Sequence, residues 1–178
     1  PASIFEQGCA ALSTFKKITL TDQATSAIAS LAVAPATRAQ QPAKIHRSPD
    51  DKIWLISLGT WLPVPAAKHR DATWLINEYI RLGPIALAKQ IQGLFALFIV
   101  DHHTGQTHVI TDRCGSLHVY KQSRPEGECI CTSSAALAMA SQAKLHPVAV
   151  HEFIATGIIY EDRSLWADIQ KIGPATVL

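Results

Sequence analysis

The chain has 178 residues, of which 48% are hydrophobic and 17% are charged, and its net charge is +2. This composition is typical of one globular domain with a sizeable core. No cluster of lysine and arginine with interleaved aromatic residues is present, which argues against a nucleic-acid partner. No apolar run approaches the roughly 20 residues that span a bilayer, and no signal peptide opens the chain. We therefore expect a cytoplasmic protein whose start has been trimmed, because Pro1 is not an initiator Met.

The first 50 residues carry weak secondary-structure signals. Residues 5–12 fit either a strand or a short helix, and the Ala-rich segment 22–34 has no decisive period. Residues 34–49 contain three prolines and predict a loop with at most one short strand.

After residue 50 the apolar pattern predicts well-defined elements. The strand segments are short and rich in β-branched residues, whereas the helical segments carry strong helix formers or broad apolar sides. In chain order these are a strand over 53–58, helices over 72–82 and 84–92, strands over 94–100, 107–111, 117–120 and 129–132, a turn over 122–128, helices over 133–143 and 148–155, a turn over 164–166, and short strands over 169–172 and 175–178. This order indicates an α+β fold with mostly antiparallel sheets.

The stretch from Gly93 to Asp101 is the strongest of these elements. Its seven consecutive apolar residues, 94–100, favour a strand that is buried on both faces. Residues 102–106 supply a turn with a glycine, and β-branched residues follow. The pattern therefore predicts a β-hairpin at the centre of a sheet.

Two positions before this hairpin have a clear local interpretation. Gly59 is predicted to end the first strand, because Pro63 and Pro65 cannot pair within an inner strand. Asp71 is predicted to cap the helix over 72–82, because its carboxylate can accept hydrogen bonds from the free amides of the first turn.

Cysteines and histidines form only weak metal-binding patterns. Cys129 and Cys131 share one face of a predicted strand, but no second cysteine pair exists, so buried reduced thiols are the favoured interpretation. Four histidines close to the hairpin are spread over both strand faces, and these are His102, His103, His108 and His118. We expect no metal site.

Several motifs resemble the N-terminal glutaminase domain of the asparagine synthetase family. Residues 93–101 resemble its strand G-x-F-A-x-x-x-x-D, and residues 111–120 resemble its segment A-R-D-x-x-G-x-x-P-L-Y. Residues 131–137 are similar to S-E-x-K-A-L, and residues 151–174 follow the closing motifs in order. The resemblance covers residues 51–178 and leaves 1–50 divergent. It implies a single domain over 1–178 with the N-terminal-nucleophile fold, a four-layer αββα sandwich of two mainly antiparallel sheets.

The resemblance also implies a catalytic site, which this sequence matches only in part. The family attacks glutamine with an N-terminal cysteine whose α-amine takes the thiol proton, whereas this chain starts at Pro1. Cys9 could take that role only if processing exposed it, and a structural thiol is the favoured alternative. The asparagine and glycine of the family's oxyanion hole correspond to Leu58 and Gly59, and Leu58 has no side-chain donor.

The remaining substrate contacts are also incomplete. Asp71 corresponds to the residue that holds the glutamine α-ammonium, although an N-cap explains it without a ligand. No counterpart of the arginine and R-G-P-D loop that hold the carboxylate is present, and Arg38, shortly before Gln41 and Pro42, is the nearest candidate.

The sequence therefore predicts a glutamine-amidotransferase-like domain that kept its fold and lost its chemistry. The expected setting is an ATP-dependent amide-forming enzyme, of the asparagine synthetase or lasso-peptide-cyclase type, in which this chain is a fragment or a partner with a structural or docking role. No P-loop, G-x-G-x-x-G or S-G-G-x-D-S motif is present, so we expect no cofactor in this chain and ATP chemistry on the partner. The alternatives are a glutaminase activated by processing before Cys9 and a stand-alone binding module, and a homodimer is a further option.

Overall fold

A computed structural model of the chain describes residues 3–14, 19–34, 44–64 and 71–178. The chain divides into two compact units, of which the first combines residues 1–18 with 118–173 and the second combines 19–117 with 174–178. Each unit contains helices and antiparallel strands, so the predicted α+β class is confirmed. No helix in the described part of the chain is long and apolar enough to cross a membrane.

Helices and strands of the described residues are numbered separately in chain order. The helices are α1 (Ile4–Thr14), α2 (Ala72–Leu82), α3 (Pro84–Gln90), α4 (Ser134–Ser141) and α5 (Pro147–Thr156). The strands are β1 (Asp22–Thr25), β2 (Ser30–Val33), β3 (His46–Arg47), β4 (Ile53–Pro63), β5 (Ile91–Asp101), β6 (Gln106–Thr111), β7 (Tyr120–Arg124), β8 (Gly127–Cys131) and β9 (Gln170–Lys171).

The second unit is built around a four-stranded antiparallel sheet in the order β3-β4-β5-β6. Its centre is the pairing of β4 with β5, which runs in one continuous register from Ile53 opposite Asp101 to Pro63 opposite Ile91. Strand β6 returns beside β5, so the hairpin predicted from the apolar run is confirmed.

Apolar clusters cover both faces of this sheet. Residues of α2 and α3 pack with one set of strand side chains, which includes Ile53, Leu55, Leu97 and Ile99. The hairpin of β1 and β2 contributes to the other cluster, whose strand residues are Trp54, Ile56, Leu58, Phe98 and Val100. The alternation of these residues along β4 and β5 is that of a strand pair buried on both sides.

The prediction that Gly59 ends the first strand is wrong, since β4 continues to Pro63. Likewise, β5 begins at Ile91, so α3 is shorter than predicted. Gly59 has a φ of +81°, and a Cβ there would collide with the Leu94 carbonyl oxygen and lie 2.7 Å from Leu117 Cδ1. Glycine thus allows a close approach within a strand that keeps pairing. Pro63 is tolerated because it occupies the last position of the ladder.

The first unit contains the three-stranded antiparallel sheet in the order β8-β7-β9. Strand β7 runs to Arg124, and β8 begins at Gly127, so the predicted turn over 122–128 shrinks to two residues. An apolar cluster lies beside this sheet and consists of Leu137, Ala138 and Ile169 with Tyr120, Cys129, Cys131, Ala143 and Trp166.

Regular structure also forms within the first 50 residues, where the secondary-structure signals of the sequence are weak. Of the two options for residues 5–12, the structure has the helix, α1, and the undecided segment 22–34 contains the β1–β2 hairpin. A short strand, β3, lies within the predicted loop over 34–49. These elements have weak sequence signals, because tertiary packing selects them more than local propensity does.

Asp112 organises the loop that replaces the first residues of the strand predicted over 117–120. Its side chain is fully buried and accepts hydrogen bonds from the amides of Cys114 (2.8 Å), Ser116 (3.0 Å) and Leu117 (3.4 Å). Burial raises the pKa of the Asp112 carboxyl, but the hydrogen bonds outweigh this effect and leave the pKa below its ordinary value. The ionised carboxylate therefore stabilises this loop.

The collision at Gly59 predicts a large effect of a single methyl group. We expect Gly59→Ala to lower the free energy of unfolding by roughly 3 kcal/mol or more, because steric overlap adds to backbone strain. Gly105→Ala is the matched control, since Gly105 has a φ of +70° with open space around it and should lose only about 1 kcal/mol. Urea unfolding measures both, and equal losses would contradict the close approach.

The lowered pKa of Asp112 predicts a pH-dependent contribution to stability. Because the folded pKa lies below the unfolded one, this contribution is present above the ordinary carboxyl pKa of about 4 and is lost as the pH falls through the folded pKa. We expect Asp112→Asn to lower the free energy of unfolding by about 2 kcal/mol at neutral pH. The difference in this free energy between variant and wild type should narrow below about pH 4. Exposed Asp162→Asn is the control in denaturant titrations. A difference that is constant down to acidic pH would contradict the role of the charge.

Candidate functional site

Asp71 stands at the start of α2 and caps it, as predicted. Its backbone is extended, with φ −125° and ψ 175°, and its Oδ1 accepts a hydrogen bond of 2.9 Å from the Trp74 amide. The carboxylate is exposed and also lies close enough to His46 to influence its pKa. Burial and the charge of Lys44 lower the pKa of His46, whereas the carboxylates of Asp71 and Asp22 act in the opposite direction.

Leu58 and Gly59 lie in the distal half of β4. Leu58 is half-buried and packs against the apolar cluster that contains Ile56 and Val100. Gly59 lies opposite Phe95 in the ladder, and the Leu117 side chain occupies the space where a Cβ at this position would lie. Leu58, which the motif resemblance aligns with the family's oxyanion donor, is thus an apolar side chain packed against an apolar cluster.

A pair of tryptophans connects the end of β4 with the start of α2. The rings of Trp61 and Trp74 stack with 5.7 Å between their centroids and 15° between their planes. Both pack against the cluster on the helical face of the sheet. Because the Trp74 amide also donates to Asp71, the stack links the Asp71 cap to the strand that carries Gly59.

Cys9 lies within α1 of the first unit, where its backbone belongs to the helix. Burial, together with the charge of Glu6, raises the pKa of its thiol, so the protonated form is favoured at neutral pH. All four cysteines are free thiols. Cys129 and Cys131 pack against the same apolar cluster, in agreement with the shared strand face that the sequence predicts.

The histidines near the hairpin have separate neighbours. The His102 ring contacts Trp54 edge-on with 4.6 Å between centroids, and His103 Nε2 lies 3.1 Å from Asp50 Oδ2. His108 lies beside Tyr79. Within residues 3–14, 19–34, 44–64 and 71–178, no group of three or more His, Cys, Asp or Glu side chains is placed to hold a metal ion.

The structure thus brings two of the predicted site residues, Gly59 and Asp71, into one unit and explains each by packing or capping. Arg38, Gln41 and Pro42 lie outside the described residues. Sequence reasoning missed Leu117, whose Cδ1 lies next to Gly59, and the stack of Trp61 on Trp74. No local signal identifies these contacts, because each joins segments that are distant in sequence.

Comparison with known sequences gives one family. Residues 65–178 match the sequence family described as a glutamine amidotransferase domain. This match spans more than half of the chain and lies within the part, 51–178, for which the motifs predicted such a relationship. No curated protein matches the chain. On the strength of the family match, the chain belongs to the glutamine amidotransferase domain family.

Proposed function

We propose that this chain is a glutamine amidotransferase domain without glutaminase activity of its own. Its role would be structural, as a docking domain of an ATP-dependent amide-forming enzyme of the asparagine synthetase or lasso-peptide-cyclase type. The observation that carries the first part of this proposal is the environment of Leu58.

Amide hydrolysis passes through a tetrahedral oxyanion, which needs preorganised hydrogen-bond donors. In the related glutaminase domains, the motif resemblance assigns one donor to an asparagine at the position of Leu58. Here the leucine side chain packs against the apolar cluster that includes Ile56 and has no polar hydrogen to offer. Removal of one such donor lowers the rate by about 10²–10³. This loss supports a domain that retains the strand but not the chemistry.

The state of Cys9 supports the same conclusion. A cysteine nucleophile reacts as its thiolate, and enzymes therefore lower the thiol pKa at catalytic positions. Burial and Glu6 shift the pKa of Cys9 in the opposite direction. In addition, the Cys9 amide lies within α1, so cleavage before Cys9 would divide that helix.

Asp71 does not need a ligand to account for its presence. An N-cap contributes about 1 kcal/mol to a helix, and the hydrogen bond to the Trp74 amide has the geometry of such a cap. The cap uses Oδ1 of Asp71. We regard Asp71 as a vestigial counterpart of the residue that holds the α-ammonium group in the family.

The ATP-dependent partner is part of this proposal and rests on the motif resemblance to the asparagine synthetase family. The sequence contains neither a P-loop nor an S-G-G-x-D-S segment, so nucleotide chemistry belongs to another domain or subunit in this proposal. The four free thiols are compatible with a reducing compartment, and we place the assembly in the cytoplasm.

Incubation with L-glutamine tests the loss of activity. We expect no ammonia release above the rate in buffer, because a donor and an activated thiol are both missing. Ammonia release that Cys9→Ala abolishes, and that Cys114→Ala leaves unchanged, would contradict the proposal and favour a processed glutaminase. Cys114 is the matched control because its thiol is exposed.

A variant of Asp71 separates capping from ligand binding in the same experiment. Asparagine caps helices as well as aspartate does, so Asp71→Asn should preserve the thermal unfolding midpoint while removing the charge. We expect no calorimetric binding of glutamine to the wild type. Binding that disappears in Asp71→Asn would identify a working α-ammonium site.

The docking role predicts a ligase encoded with this chain. We expect an S-G-G-x-D-S segment in the same or a neighbouring reading frame. The ligase that carries this segment should show less ATP–pyrophosphate exchange with its acceptor substrate when this domain is omitted. Gly59→Ala, if folded too weakly to dock, should reproduce the loss, and Gly105→Ala should not. Full exchange activity without the domain would refute a docking role.

A further inference from the structure

A polar cleft lies on the three-stranded sheet of the first unit. It has a volume of about 220 Å³ and is lined by Lys121, Ser123, Asp168 and Gln170. The first two residues belong to β7, Gln170 belongs to β9, and Asp168 lies shortly before β9. We name it the β7–β9 cleft. It lies wholly within one unit, and its lining combines a cation, a carboxylate, a hydroxyl and a carboxamide.

The β7–β9 cleft is on the face of the sheet opposite the apolar cluster. On β7, Tyr120 packs in that cluster and Gln122 is buried, whereas the residues next to them line the cleft. Ile169, which lies between the two other lining residues, is buried in the same cluster. This alternation is the one that a strand imposes on successive side chains. The sheet therefore positions the lining residues.

The two charges of the cleft lie at diagonal corners. Lys121 pairs with Gln170 in the antiparallel ladder, so the chain before Gln170 runs alongside the chain after Lys121. Asp168 therefore lies at the Ser123 end of the cleft and not at the Lys121 end. In a regular antiparallel pair, such diagonal neighbours are about 7–8 Å apart. A ligand that contacts both charges must span a comparable distance.

The lining groups have unused hydrogen-bonding capacity. Within the part of the chain that the structure describes, the side chains of Lys121, Asp168 and Gln170 make no hydrogen bond or ion pair. Ser123 donates to Glu128 Oε1 at 3.0 Å, which leaves its hydroxyl oxygen able to accept. The cleft thus presents donors at Lys121 and Gln170 and acceptors at Asp168, Gln170 and Ser123.

These opposite charges restrict the class of ligand. A simple anion would meet the carboxylate of Asp168, and a simple cation would meet the ammonium group of Lys121. The volume is below the roughly 300–1,000 Å³ of sites for drug-sized molecules, so the ligand is small. A small molecule that carries both an ammonium group and a carboxylate complements both charges.

The diagonal spacing separates two kinds of zwitterion. An α-amino acid carries both charges on one carbon atom, whereas a dipeptide separates them by a peptide unit, whose Cα atoms are about 3.8 Å apart. The carboxamide of Gln170 can both donate to and accept from a peptide group. We propose that the β7–β9 cleft binds a small dipeptide, with its carboxylate at Lys121, its ammonium group at Asp168 and its peptide group at Gln170.

The proposed dipeptide site is independent of the predicted glutamine site. Its lining residues belong to the first unit, whereas Gly59 and Asp71 belong to the second. The dipeptide site therefore stands whether or not the domain hydrolyses glutamine.

Nuclear magnetic resonance of the isotope-labelled full chain, titrated with glycylglycine, tests this proposal. We expect saturable shifts of the amide signals around Lys121 and Gln170, with a Kd of roughly 1 mM because exposed charge pairs contribute little each. Glycine should bind about tenfold more weakly or worse, since it cannot reach both charges. The zwitterion δ-aminovalerate has as many chain atoms as glycylglycine but no peptide group, and its affinity should fall between the two.

Removal of either charge should weaken the binding of glycylglycine by about fivefold or more. Lys121→Gln removes the cation. Asp168→Asn removes the carboxylate and suits the backbone, because Asp168 has a φ of +62° and asparagine also enters the left-handed region. The matched controls are Lys171→Gln, which lies opposite Tyr120 in the ladder, and Asp162→Asn, which is exposed and does not line the cleft. Both controls should leave the Kd unchanged.

Reversal of both charges gives a second measurement. Lys121→Glu or Asp168→Lys alone should abolish the binding of glycylglycine, and the double variant should recover part of it, because a zwitterion can bind in the opposite direction. Shifts that grow linearly with the glycylglycine concentration, or glycine that binds as tightly as glycylglycine, would overturn the proposal. The same holds if Lys121→Gln and Lys171→Gln have equal effects while circular dichroism shows both to be folded.

Discussion

The pairing of β4 with β5 is the constraint on which the second unit depends. Eleven residues of each strand align in one register, and their side chains alternate between two apolar clusters. Each fully buried aliphatic side chain contributes about 1.5–3 kcal/mol, so a shift of the register by one residue would exchange the two faces at a large cost. Helices α2 and α3 on one face and the β1–β2 hairpin on the other are positioned by this pair.

Two buried carboxylates fix the chain at the ends of the hairpin. Asp101 accepts hydrogen bonds from the Tyr79 hydroxyl at 2.9 Å and from the amides of the turn after β5. Burial raises the pKa of the Asp101 carboxyl, but these bonds more than compensate, and the Tyr79 pKa is raised by burial and by Asp101. Asp112 holds the loop that follows β6 in the same manner, and this loop places Leu117 next to Gly59. The acidic residues of the family-like motifs therefore determine backbone geometry.

This structural use of motif residues connects the fold with the proposed function. Gly59 is required by the close approach of Leu94 and Leu117, and Asp71 is required by the first turn of α2. Residues that look like remnants of a glutamine site thus have reasons to persist without substrate. In the proposed function a donor was lost at position 58, where the leucine side chain adds apolar contact to the cluster on its side of the sheet. Under the proposed function, these constraints explain how the domain keeps its architecture without glutaminase chemistry.

Sequence alone determined the elements whose causes are local. The bounds of α2, its cap at Asp71 and the hairpin after the apolar run depend on contacts within a few residues, and the structure has all three. It also named Gly59 and Asp71 as site candidates and Leu58 as the position without a side-chain donor. Only the tertiary structure decided that β4 continues through Gly59, because a glycine that ends a strand and one that admits a distant carbonyl have the same sequence signal. The Trp61–Trp74 stack likewise joins a strand to a helix, and neither periodicity nor turn chemistry carries information on such a contact.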